Sequence, residues 1–155
     1  MDDKQFKDSI EITVTQELKL FIRSMAATYQ FVFQQERYDF VQRAMSIDLV
    51  DKNGVGVLAN RFSAHTAGDK MELRKEEVYL LYTMMELVCR SFLTEAGDDF
   101  KTASISLNQV SEEKYNQVRN MELMIAQTLL QKIKADFIDD PEFEEISDRI
   151  DLLDS

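Results

Sequence analysis

The stretch Ser111-Glu112-Glu113-Lys114-Tyr115-Asn116-Gln117-Val118-Arg119, continuing through Met121, Ile125, Leu129 and Ile133 to Phe137, decides the fold class. Its apolar residues Tyr115, Val118, Met121, Ile125, Leu129, Ile133 and Phe137 recur at spacings of three and four, the period of a helix with one buried face. Ser111 stands where an N-cap belongs, and Glu112 and Glu113 place negative charge at the positive end of the helix. Neither Gly nor Pro interrupts the run. At its far end Asp140-Pro141-Glu142 stops this helix and starts another, because proline suits the first helical position and an aspartate before it suits the cap. In that last helix Phe143, Ile146, Ile150 and Leu153 fall on one stripe among acidic neighbours.

Towards the N-terminus, Val78 to Leu93 is the most apolar segment, greasy on nearly all sides, as expected of the central helix of a bundle. Asp69 with Glu72 three residues on resembles a capping box and predicts the helix start, while Gly97 is suited to a left-handed stop. Earlier still, Leu18, Phe21, Ile22, Met25, Tyr29, Val32 and Phe33, then Phe40, Val41, Ala44 and Met45, keep the three-four spacing without a breaker before Gly54. Two helices with a break near Gln34 to Arg37 fit ordinary helix lengths better than one of about 35 residues. Ile10, Ile12 and Val14 alternate with polar residues and predict a short strand. Val55 to Leu58 is β-prone, residues 59–69 read as loop, and a minor two-stranded ribbon is expected between 55–58 and 103–107. The expected fold is all-α, a helical bundle of four to six helices. Residues 1–139 form the bundle domain, and residues 140–155 form an acidic amphipathic C-terminal helix, either part of the same domain or appended to it.

Composition agrees. Across 155 residues there are one Pro and four Gly, too few breakers for many short strands and turns. The net charge is −11, and it is concentrated: residues 136–155 hold nine acids against Arg149 alone, while residues 1–135 hold 20 acids and 17 bases. Such a balance repels a phosphate backbone and argues against nucleic-acid binding. A single cysteine, Cys89, forms no intramolecular disulfide and suits a reducing compartment. Met1 to Phe6 lacks the basic and apolar pattern of a signal peptide, and no apolar run reaches the roughly 18 residues of a membrane span. The expected location is the cytoplasm, away from membranes.

Groups able to do chemistry are sparse. His65 is the only histidine and has no local acid-base partner before Asp69, so it reads as a loop histidine rather than a base. One histidine also forbids a ferritin-like pair of Glu-x-x-His motifs, and the Cys and His counts exclude a zinc site of the usual kind. Cys89, beside Leu87 and Val88, reads as a buried small hydrophobe. Glu76, Glu77 and Glu86 are conceivable carboxylate ligands, better explained as salt-bridge partners. Asp51-Lys52-Asn53-Gly54-Val55-Gly56-Val57-Leu58 resembles the opening of an EF-hand calcium loop, with acid, Asn, Gly and aliphatic residues at positions one, three, six and eight. Val55 and Phe62 stand where the fifth and twelfth positions need oxygen ligands, and an Asn53-Gly54 turn accounts for the same letters. Met84-Met85 and the Met121 to Met124 stretch offer adaptable surfaces, although core packing is the commoner use.

The expectation is therefore a non-enzymatic protein-interaction module: an adaptor, an assembly factor, or a chaperone or immunity-type protein masking a basic partner. No catalytic residue, metal or cofactor is expected. The residues expected to meet the partner are Phe143, Glu144, Glu145, Ile146, Ile150 and Leu153 of the acidic helix. Aromatics at Phe21, Tyr29, Phe31, Phe33, Tyr38 and Phe40 exceed what one stripe needs and leave room for a homodimer. The alternative is a helical domain binding a small ligand in an aromatic and methionine-lined pocket. An enclosed apolar cavity favours the ligand reading, and a solid core with exposed apolar surface favours the interaction module.

Overall fold

A computed structural model describes residues 9–35, 52–91, 105 and 111–153. Among these the chain order is β1 (Ser9–Thr13), α1 (Gln16–Gln35), α2 (Lys52–Ala64), β2 (Lys70–Arg74), α3 (Lys75–Ser91), α4 (Glu112–Phe137) and α5 (Pro141–Leu153). The fold is an all-α bundle with a small antiparallel ribbon.

The ribbon joins β1 to β2 in the register Ser9↔Arg74, Glu11↔Glu72 and Thr13↔Lys70. Period-two alternation turns Ile10, Ile12, Met71 and Leu73 into the core and their neighbours outward. The expected strand at residues 10–14 is thus present, whereas the ribbon expected between 55–58 and 103–107 is not formed by 55–58, which lies inside α2; of residues 103–107 only Ile105 is described, and it is helical. Val55, Leu58 and Phe62 are all buried on one face of α2, so the burial of that face overrides the β propensity of Val-Gly-Val-Leu. The loop expected over 59–69 is correspondingly shorter, because α2 runs to Ala64.

The capping box also moves. Asp69 does not start a helix: its amide donates to the Thr66 carbonyl at 3.0 Å and its carboxylate accepts from the Thr66 amide, closing a turn in which Gly68 adopts φ 100°. Helix α3 begins five residues later than the Asp69 box implies. There Glu77, at the third helical position, accepts from the Arg74 amide at 3.1 Å, which is the returning half of a capping box. Alternating Met71 and Leu73 must both reach the core, and only an extended backbone lets them do so.

Other expected signals hold. Ser111 accepts from the Lys114 amide at 3.1 Å and caps α4, and Asp140 accepts from the Glu142 amide at 2.9 Å and caps α5, with Pro141 first in the helix. Helix α1 is described to Gln35; the break expected near Gln34 to Arg37, the second helix beyond it and the Gly97 stop lie outside the described residues. Central α3 buries Val78, Leu81, Tyr82, Met84, Met85 and Leu87, consistent with its all-round apolar character. Tyr29 of α1 reaches across to donate to the Met84 carbonyl at 2.8 Å. The two outer edges of the ribbon are each guarded by a long basic side chain: Arg61 donates to the Glu72 carbonyl at 2.9 Å and Lys132 to the Glu11 carbonyl at 3.0 Å. None of the described helices is long and apolar enough to cross a membrane.

Candidate functional site

Helix α5 is fixed to α3 by one polar cluster and one aromatic cluster. Asp140, only 2% exposed, receives the Tyr79 hydroxyl at 2.5 Å and the Lys75 ammonium at 2.8 Å while still capping α5. Burial alone would raise its pKa; the bonds from Lys75, Tyr79 and the Glu142 amide outweigh it and hold the carboxyl below its ordinary value. The same bond to Asp140 raises the pKa of Lys75, which also pairs with Glu142 at 3.2 Å. Beneath this cap Phe143 meets Tyr82 edge-on with centroids 4.7 Å apart, and Phe137 meets Tyr79 edge-on at 5.6 Å.

Docking α5 in this way leaves a cleft above α3. Its floor is the α3 stripe Glu76, Tyr79, Leu80 and Thr83; one wall is Gly54, Val57 and Leu58 of α2, the other Glu142, Glu145, Ile146 and Arg149 of α5. Every one of these sets follows helical spacing of three, four or seven, so three helix faces converge on one groove. The cleft encloses about 540 Å³ and is open to solvent. Val57 is 60% exposed at its wall, and Leu80 and Ile146 are half-buried on its floor and opposite side. Polar groups at the rim are mostly carboxylates. Glu77 is engaged by Arg61 and Glu142 by Lys75, whereas Glu76 and Glu145 carry no side-chain ion pair among the described residues. Arg149, the one cation among the lining side chains, is already engaged.

The six residues expected to meet a partner divide between the core, the cleft and the surface. Phe143 and Ile150 are 6% and 0% exposed and belong to the chain's own core. Ile146 and Glu145 line the cleft, Glu144 is exposed beside it, and the side chain of Leu153 lies outside the described residues. Val57, Tyr79 and Leu80 were not singled out by sequence, because α3 is apolar all round and shows no distinct face, and because α2 reads as turn and strand; Glu76, expected as a salt-bridge partner, has no ion pair among the described residues. The pattern Glu76, Tyr79, Leu80, Thr83 is the signal that was there to find.

Elsewhere, His65 is not free in a loop: it closes the end of α2 by donating from Nδ1 to the Arg61 carbonyl at 2.8 Å. Cys89 is half-buried, and burial pushes its thiol up to about 11, which suits packing rather than attack. Glu86 pairs with Lys134 at 3.3 Å and Glu77 with Arg61, the salt-bridge roles expected of them. The calcium-like segment from Lys52 onward is helix, with Val55, Leu58 and Phe62 in the core, and therefore has no ligand loop; the Asn53-Gly54 turn is likewise absent. No group of three or more potential ligands gathers around a metal-sized space among the described residues. Met84 and Met85 are core, but Met121 and Met124 are exposed, and Met124 borders a second open groove of about 420 Å³ with Ile12, Leu18, Ile125 and Leu129. Of the aromatics that suggest a homodimer, Phe21 and Tyr29 are buried in the chain's own core; the side chains of Phe31 and Phe33 and all of Tyr38 and Phe40 lie outside the described residues.

No family model matches the chain, and no curated protein or solved structure matches it either.

Proposed function

We propose that the chain is a non-enzymatic protein-interaction module, an adaptor, assembly factor or masking protein of the cytoplasm, that receives a basic partner protein on the cleft side of α5. The supporting observation is the cleft itself: an open groove with exposed Val57 on its wall, rather than an enclosed apolar cavity. A surface of this kind gains from a partner that covers it. Glu145 and Ile146 of the acidic helix contribute to recognition directly, with Glu144 adding to the negative field. Phe143 and Ile150 contribute by holding α5 in place.

The test compares full-length protein with Val57→Asp and Ile146→Asp as bait for cell extract at low and high salt. Val57 is exposed, so Val57→Asp keeps the fold; Ile146 packs partly against the core, so its variant is compared at a temperature where its melt shows it folded. The expected result is a protein species held by the unaltered chain, released as salt rises and lost in both variants, because encounter depends on opposite charge and retention on apolar contact. The second reading, a small-ligand domain, rests on the methionine-bordered groove between β1 and α4. Saturable one-to-one binding of an apolar dye that Met124→Glu abolishes, with no protein held by the cleft, would favour it.

A further inference from the structure

Resting on the module reading above, we infer that the occupant of the cleft is an amphipathic helix of the partner, with aliphatic side chains on one face and lysine or arginine beside them. The shape argument comes from the lining. Floor and both walls are helix stripes with spacing of three, four and seven, the surface into which the ridge of a further helix packs. An extended strand would instead need a row of free backbone groups to pair with, and three α-helices present none at this site. About 540 Å³ accommodates a few aliphatic side chains over Val57, Leu80 and Ile146, not a folded loop.

Charge specifies the flanks. Glu76 belongs to α3 and Glu145 to α5, so the two lining carboxylates without an ion pair among the described residues lie on different elements, in one cleft with Val57, Leu80 and Ile146. Cations beside the helix's apolar face complete them, while Glu77 and Glu142 are already satisfied by Arg61 and Lys75. A second copy of this chain is a poor occupant, since each copy carries −11.

The experiment measures fluorescence anisotropy of three labelled peptides against the full-length protein. One is an 18-residue leucine-lysine peptide with leucines at helical spacing, one replaces lysine by glutamate, and one keeps the composition but scrambles the spacing. The expected result is saturable binding of the first, at least tenfold weaker binding of the other two, and at least fivefold weakening between 50 and 500 mM salt. Val57→Asp, and separately the double variant Glu76→Lys/Glu145→Lys, should each cost at least tenfold. A control of equal net charge, Glu17→Lys/Glu113→Lys, should cost less than threefold. Equal loss in both double variants, or equal binding of the scrambled peptide, overturns the inference by reducing it to bulk charge. If no peptide binds but Val57→Asp still loses the protein species held from extract, the helix proposal fails while the module reading stands. If Val57→Asp changes neither, both fail.

Discussion

Two carboxylates show how this chain sets the charge of buried acids. Asp140 is almost fully enclosed yet is held as the anion by a cation, a hydroxyl and a backbone amide. Glu122, partly buried on α4, shows the opposite outcome: burial pushes its carboxyl up to about 7 from an ordinary 4.5. A raised acid pKa means that the folded state binds its proton more tightly than the unfolded state does. Folding therefore keeps the full benefit below about pH 4.5 and loses it progressively as pH rises through about 7. Glu122→Gln mimics the protonated form at every pH. It should raise the melting temperature at pH 8, by an amount corresponding to on the order of 1–2 kcal/mol, and change it little at pH 5. Thermal melts of the two proteins across pH 5 to 8 check this; curves that stay parallel would mean that Glu122 is solvated in the folded chain.

At the scale of elements, α2 is where local and tertiary signals disagree. Asn53-Gly54 and Val-Gly-Val-Leu ask for a turn and a strand, yet Val55, Leu58 and Phe62 are a helical i, i+3, i+7 set whose burial decides the backbone. Since Lys52 to Ala64 is helical with Val55, Leu58 and Phe62 facing inward, millimolar calcium should leave the melting temperature unchanged, and a chelator likewise. A calcium-dependent upward shift would require this helix to open into a loop, because a ligand that binds only one state must stabilise that state. Helices α4 and α5 were legible because their caps, Ser111 and Asp140, act within three residues. The pairing of β1 with β2 was not, because about sixty residues separate the strands and nothing local to Ile10 or Met71 names its partner. Even α4 was read with its face partly misplaced: Met121 is exposed, while Ala126 and Leu130, which the three-four count passed over, are buried. Periodicity gives the width of an apolar stripe, but neighbouring helices choose which edge of it they cover. The cleft was illegible for the same reason, since it exists only where stripes from α2, α3 and α5 meet.

For the whole molecule the decisive question is whether α5 is a structural member of the bundle or an appendage. Phe143 is buried against Tyr79 and Tyr82 of α3 and Phe137 of α4, and Ile150 is fully buried in the core; each such burial stabilises the fold by roughly 2–3 kcal/mol. Removing residues 140–155 also uncovers Tyr79, Tyr82 and Phe137 and leaves Lys75 without Asp140. The expected loss is on the order of 5 kcal/mol, a large share of the roughly 5–15 kcal/mol typical of a domain. A chain truncated after Asp139 should therefore melt far lower or fail to fold cooperatively. Asp140→Asn in the full chain is the finer probe, because it keeps a capping oxygen for the Glu142 amide but replaces the oxygen that accepts from Tyr79 and faces Lys75 by an uncharged NH2. It should cost about 1–3 kcal/mol at neutral pH. Asp140 titrates below its ordinary 3.8 when folded, so its stabilisation is present above about pH 4 and disappears as pH falls through the folded value. The gap between the melting temperatures of the native chain and Asp140→Asn should accordingly be widest near pH 7 and narrow as pH falls below about 4. A truncated chain that melted like the full one, together with a gap insensitive to pH, would make α5 an appended helix whose contacts with α3 do not stabilise the bundle.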